Sequence, residues 1–369
     1  MSDEKYAREI RKTGFVLEYK VAEMLRHAGW TVISNKYYED DHEGNVREID
    51  LLAYKVSQVQ QISVYTTILI SCKKNEADIW ALLARDVDLK DPNVDWWPLH
   101  TWSNDYAVNY EVAKPTFAKN YHDRVAELGV TEVLSIPKYE VFAFQEMNRS
   151  SGAPHNDKNI FSAVTSLLKA QAYELGALPQ RKKKPTAYQF NLLSIIDSDL
   201  FRLVISNDEI RQEAIESEHY ISRYIIKRRE TFSRIHFVAY SGLKKKIDDY
   251  DRLHKANCKR FDEAIATFYD GILKDHKRVS VLIEDFRTKI SWDIYFAALK
   301  AHGVKIEKQL ISLGWDGFAG HAKVEIACDS RVIDTLNADA GLRIKTVAAL
   351  KEIYRYTGEF NFEVDELLF

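Results

Sequence analysis

A carboxylate inside one apolar strand pattern, and a lysine at the end of the next, constrain this chain more than any other feature. The runs read Glu48-Ile49-Asp50-Leu51-Leu52-Ala53 and Ile68-Leu69-Ile70-Ser71-Cys72-Lys73. Strands disfavour aspartate, so a half-buried one needs a reason to be there. Alternation along the first run sets Glu48, Asp50 and Leu52 on one face and Ile49, Leu51 and Ala53 on the other. Along the second, Leu69, Ser71 and Lys73 share a face. Paired in register, the two strands bring Asp50 and Lys73 into one pocket.

The surrounding pattern argues for a mixed sheet flanked by helices. Residues 6–28 carry Leu17, Val21, Met24, Leu25 and Ala28 at helical steps, with Gly29 as a stop. Glu18 shares the face of Ala22 and Leu25, so it points toward the sheet. Strands are expected from Thr31, over 46–55 and over 67–73, with the acidic segment Glu39–Asn45 as a turn. The alanine- and leucine-rich stretch 77–83 predicts a helix, as does 118–128, and 138–147 predicts a fourth strand. A helix over 159–175 ends at Gly176, and 189–196 with 200–206 read as a hairpin about Asp197-Ser198-Asp199. Two further strands (219–227 and 234–241) and a long helix (244–273) follow. The last hundred residues mix helices at 292–302 and 345–356 with a strand at 323–328. The expected organisation is an α/β domain over 1–255 with an inserted segment at about 85–135, then an α/β region over 256–369 suited to recognition or partner binding.

At 369 residues, with 46% hydrophobic and 29% charged, the chain has the composition of a globular protein long enough for two domains. A net charge of −3 means that any polyanion has to be held by local patches. Three cysteines, Cys72, Cys258 and Cys328, are odd in number and far apart, which excludes a disulfide framework and suits a reducing cytosol. A charged N-terminus and the lack of a membrane-length apolar run set the expectation of a cytoplasmic chain with no membrane partner.

Two carboxylates converging on a lysine are costly to bury without a counter-charge, and a divalent cation supplies one. Mg²⁺ takes oxygen ligands and needs only one or two protein carboxylates beside water and phosphate. A cation there would polarise a phosphate and acidify a water, while Lys73 would hold the hydroxide or offset developing charge.

These residues resemble the PD-(D/E)XK, or restriction-endonuclease-like, nuclease superfamily, in its Mrr-like and defence-associated members. The resemblance rests on Gly14-x-x-x-Glu18 with Leu25-Arg26-His27-Ala28-Gly29-Trp30, on Glu48–Ala53, and on Cys72-Lys73. It implies a core of helix, three-stranded meander, helix and further strand. It also implies catalytic Glu18, Asp50 and Lys73, with Mg²⁺ or Mn²⁺ on Asp50, Glu18 and the Cys72 carbonyl. The implied substrate is nucleic acid, double-stranded DNA before RNA, cut in prokaryotic defence; a homo-oligomer and a defence-system partner subunit are both compatible with it. The family places an acidic residue or glutamine where Ser71 stands. Three arrangements stay open: Glu48, Glu76 or Asp78 supplies the missing carboxylate; Asp50, Glu18 and the Cys72 carbonyl suffice with water; or the site is silent and the fold serves nucleic-acid binding or assembly.

Lys74 and the run Arg181-Lys182-Lys183-Lys184 are the candidate phosphate contacts, set against the plainer reading of a solvated charged face. Trp80, Trp96, Trp97 and Trp102 are expected in the core rather than stacked on bases. His42, His100, His122 and His155 lack metal-ligand spacing, and the glycine-rich 314–320 lacks the Lys-Ser/Thr of a phosphate loop.

Overall fold

Two helices open the chain, α1 (Lys5–Ile10) and α2 (Gly14–His27). The computed structural model describes residues 5–40, 44–207 and 209–365, so part of the expected acidic turn, with His42, lies outside the described residues. Helix α2 buries Leu17, Val21, Ala22 and Leu25. It ends where Gly29 takes φ +78°, which brings the Trp30 amide to the Leu25 carbonyl at 3.0 Å and the Gly29 amide to that of Arg26 at 2.9 Å.

An antiparallel meander follows: β1 (Thr31–Glu39), β2 (Val46–Val59) and β3 (Ile62–Lys74). Next come β4 (Asp78–Asp86), β5 (His100–Ser103), α3 (Tyr106–Val112), α4 (Phe117–Glu127), β6 (Tyr139–Asn148) and α5 (Lys158–Arg181). Strand β7 (Thr186–Asp197) then lies parallel beside β3. After it run β8 (Leu200–Ser206), β9 (Glu209–Ile215), β10 (Ser217–Ile226), β11 (Arg229–Ala239) and α6 (Leu243–Tyr269). The larger sheet has the order β1-β2-β3-β7-β11-β10, with β5 paired to β7, and its central strands β3, β7 and β11 are parallel. A second sheet has the order β6-β4-β8-β9.

The larger sheet is covered on both faces. Leu51, Ala53, Ile68, Ile70 and Cys72 pack with α2, α4 and the first half of α6; Leu52, Leu69 and Leu192 pack with α5. Each large aliphatic side chain so buried contributes about 1.5–3 kcal/mol. This double covering makes the central strands continuous apolar runs.

Two expectations of element type and pairing are overturned. The expected helix over 77–83 is instead strand β4 from Asp78 onward: antiparallel pairing to β6 and parallel pairing to β8 override the helical preference of alanine and leucine. Strands β7 and β8 are not a hairpin, since the turn at Asp197-Ser198-Asp199 passes the chain from one sheet to the other. The Ser198 hydroxyl donates to the Asp78 carbonyl and the Trp80 amide to that of Asp199, which fixes this crossing. The strand expected over 138–147 is present as β6 in the second sheet, and the strand beside β3 is β7. Trp80 and Trp96 are fully buried, while Trp97 and Trp102 are partly so.

The chain divides into two compact units, 1–105 with 112–262, and 106–111 with 263–369. The second unit holds α7 (His276–His302), β12 (Ile311–Asp316), β13 (His321–Ile326), α8 (Ser330–Ala338), α9 (Ala340–Tyr354) and β14 (Phe360–Val364). Its three strands run in the order β12-β13-β14, and α7 buries Val279, Leu282, Phe286, Ile290, Ile294 and Ala298 at helical spacing. Among the described residues no helix is long and apolar enough to cross a membrane.

Candidate functional site

Asp50 sits where the ladder between β2 and β3 stops. The last register pair is Leu51 with Ile70, and beyond it the Asp50 side chain takes the place of a backbone acceptor. Its Oδ2 accepts the Cys72 amide at 2.6 Å and the Ser71 hydroxyl at 3.3 Å. An extended residue points its N–H and C=O the same way, so the Cys72 carbonyl also faces this opened end of the ladder. Neither hydrogen bond uses Oδ1, which leaves that oxygen for another ligand among the described residues.

On the other side of Asp50, β1 pairs Ser34 with Leu51 and Lys36 with Ile49, while Asn35 takes φ +53°. Asparagine tolerates this left-handed conformation, and it interrupts the pleat. Strict alternation fails here as a result. Ile49 packs with Leu52 in the α5 core, whereas Leu51 and Ala53 pack in the α2 core, so the faces expected for Glu48–Ala53 change over at Asp50. The Asn35 amide donates to the Glu48 carboxylate, which stands exposed at the rim. Asn35 is a part of the site that sequence reasoning missed; an asparagine in a strand pattern was its only signal.

Glu18 is half-buried on α2, and its Oε1 lies 3.5 Å from where a Cβ on Gly14 would stand. The carboxylate thus leans back along the helix toward its N-terminus, as helical side chains do. Partial burial is the main cause that raises the Glu18 pKa, and the negative charges of Asp50 and then Glu48 raise it further against the opposing pull of Lys73. Burial likewise raises Asp50 most strongly, while the Cys72 amide, Lys73 and Ser71 pull it down in that order. Lys73 is partly buried, and its ammonium makes no hydrogen bond or close ion pair among the described residues. Burial also pushes the Cys72 thiol well up, so this cysteine is a packing residue and not a nucleophile.

Other expected residues lie elsewhere. Glu76 is exposed and pairs with Lys74 at 3.0 Å; Asp78 is buried against Asn75 and His155. Lys74 donates to the Arg11 carbonyl at 2.7 Å, and Asp197 lies 3.7 Å from its ammonium. The basic run is at the opposite end of the sheet. Register pairs Ser63 with Thr186 and Lys73 with Ile196, so the run just before Thr186 lies roughly 33 Å along β3 from Lys73 at about 3.3 Å per residue. Within it, Arg181 pairs with Glu174 at 2.8 Å and Lys182 lies over the Tyr65 ring at 4.5 Å. Lys183 reaches the Pro179 carbonyl at 3.5 Å, and the Lys184 carbonyl accepts from Thr186 and Asn104.

No protein family, curated protein or solved structure matches this chain.

Past the C-terminal ends of β3, β7 and β11 a cleft of about 480 Å³ opens, lined by Lys74, Asn75, Asp197, Ser198, Asp199 and Tyr240 among others. Open sheets with parallel strands present such crevices at this edge. Lys20 of α2 reaches over the Tyr240 ring at 6.0 Å, so the helix bearing Glu18 borders the cleft.

The donor set of Glu18, Asp50 and the Cys72 carbonyl is all oxygen, which suits Mg²⁺ or Mn²⁺ completed by water. The ligand atoms of Glu18, Glu48 and Asp50 do not close within 4.8 Å of one another; among the described residues only Asp316, His321 and Glu363 of the second unit form such a trio.

Proposed function

We propose that this chain hydrolyses phosphodiester bonds of nucleic acid, DNA before RNA, with a divalent cation held by Asp50, Glu18 and the Cys72 carbonyl. The observation that carries the reading is the pair of carboxyls, Glu18 and Asp50, both raised by burial first and then by neighbouring negative charge, Asp50 and Glu48 on Glu18 and Glu48 on Asp50, beside a lysine that makes a close ion pair with neither. A site of this kind gains from a cation more than a neutralised one does. The element order supports the same reading. Helix α2, the meander β1–β3, helix α5 and a strand parallel to β3 follow the restriction-endonuclease-like plan, with β4–β6 interposed.

Each residue then has a task. Asp50 is oriented by the Cys72 amide and Ser71 hydroxyl, leaving Oδ1 for the cation. Glu18, held over Gly14, supplies a second oxygen. Lys73, without a partner of its own, positions the attacking hydroxide or offsets charge on the phosphate. The bound cation would polarise the phosphate and acidify a water.

Ser71 favours a second reading, a catalytically silent member that binds nucleic acid or a partner subunit. It is fully buried, and its hydroxyl spends itself on Asp50. Cleavage of labelled DNA with Mg²⁺ or Mn²⁺ by the native chain, Asp50→Ala and Lys73→Ala separates the two. Loss in both variants is the expected result; equal rates in all three chains would overturn the catalytic reading.

A further inference from the structure

We propose that Phe15, Tyr19 and Tyr37 form a stacking platform that delivers an unpaired DNA strand to the Glu18–Asp50–Lys73 site. The inference rests on the phosphodiesterase reading and names the strand state of its substrate.

The three rings are exposed by 64%, 65% and 62%, and none stacks on another ring or makes a hydrogen bond among the described residues. They lie on elements that also carry the acidic site. Phe15 and Tyr19 lie four residues apart on α2, with Glu18 on the same helix three residues after Phe15. Residues so spaced are surface neighbours with Cβ atoms about 5–6 Å apart, a separation at which two rings can take successive bases of an extended strand. Tyr37 pairs with Glu48 across the β1–β2 ladder, which places it on the other side of Asp50.

Charge points the same way. In a chain of net −3, residues 5–20 carry five Lys or Arg against two Glu. Lys20 lies on the aromatic helix itself, and Lys5, Arg8, Arg11 and Lys12 lie on α1 and the turn that leads into it, with Arg8 and Lys12 beside Glu9, so the stretch is locally positive next to the rings. Duplex DNA hides its base faces and is held mainly through phosphates. The chain's densest basic run, Arg181–Lys184, is at the far end of β3 and its Arg181 is already paired. Stacking on unpaired bases uses what this edge of the sheet presents.

The test measures binding of a fluorescein-labelled 20-nucleotide DNA strand, its duplex and an RNA of the same sequence to the full chain in EDTA, where hydrolysis does not interfere. Single-stranded DNA is expected to bind at least about tenfold tighter than the duplex. Phe15→Ala and Tyr19→Ala should each weaken it by about tenfold. Phe15→Trp and Tyr19→Phe should retain binding, whereas Phe15→Leu, apolar but without a π face, should lose it. The salt dependence should stay unchanged in all of them, because no phosphate contact is removed. Tighter binding of duplex or RNA, or alanine variants that bind like the native chain, would overturn the platform. Strand binding through these rings with no cleavage in Mg²⁺ or Mn²⁺ would sink the nuclease reading alone. Cleavage of duplex that ignores the rings would sink the platform alone.

Discussion

Two carboxylate clusters in this chain look alike as residue lists and differ in physics. In the second unit Asp316, His321 and Glu363 bring their ligand atoms within 4.8 Å of one another. Yet that cluster is already neutralised. The Ala319 and Phe318 amides hold the Asp316 carboxyl below its ordinary value, and Lys323 pairs with Glu325 at 3.3 Å and Glu363 at 3.6 Å. The cluster at the end of β2 and β3 is looser, but Glu18 and Asp50 are both raised and Lys73 contacts neither. On the proposed reading, charge left uncompensated, rather than closeness of ligand-type residues, marks the cation site.

The comparison breaks most visibly in activity. Asp50→Ala and Lys73→Ala are expected to lower DNA hydrolysis by on the order of 10²–10³-fold, read as initial cleavage rates. Asp316→Asn and Glu363→Gln should leave the rate unchanged. If the second-unit variants are the ones that lose activity, the assignment of the clusters is reversed.

Stability should divide the clusters next. Metal at about a hundred times its dissociation constant stabilises a fold by about 2.7 kcal/mol, or roughly 5–10 °C for a unit of this size. Thermal melts with Mn²⁺ should show that rise in the native chain and in Asp316→Asn, and lose it in Asp50→Asn. A rise that survives in Asp50→Asn places the metal elsewhere.

How far these residues were legible in the sequence follows from whether their causes are local. The apolar runs at 46–55 and 67–73 announced β2 and β3, and the helical period with Gly29 announced α2, because side-chain pattern and turn chemistry are written in neighbouring residues. The strand at 78–86 was hidden, since what makes it a strand is pairing to β6 and β8, distant in the chain. The same holds for β7 and β8, whose turn looks like a hairpin until each strand finds its own sheet. Period-two reasoning put Asp50 and Lys73 near each other but could not see that Asn35 breaks the pleat beside Asp50. Nor could it see that the basic run ends up at the wrong end of β3.

The clusters should also respond oppositely to pH. Asp50 and Glu18 have folded pKa values above their unfolded ones, so the fold binds protons more readily there than the unfolded chain. Stability then falls as pH rises from the ordinary carboxylate range through the raised values. Asp316 is lowered, so its contribution is present above the ordinary range and is lost as pH falls through its folded value. Melting curves of Asp50→Asn against the native chain, without metal, should show the variant more stable at neutral pH and the difference closing in acid. A difference that widens in acid would mean that Asp50 is already compensated.

The smallest expected effect concerns Ser71, and its sign depends on metal. The side chain is 1% exposed and its hydroxyl donates to Asp50 at 3.3 Å. Ser71→Asp removes that donor and sets a second carboxylate against Asp50 where water does not reach, so without metal the melting temperature should fall by on the order of a few degrees. With Mn²⁺ the same carboxylate becomes a ligand, and the affinity for the cation should rise several-fold. The native and Ser71→Asp melting temperatures should therefore draw together as Mn²⁺ is added. Parallel curves at all concentrations would mean that no cation lies beside residue 71, and that the uncompensated charge of Glu18 and Asp50 is satisfied in some other way.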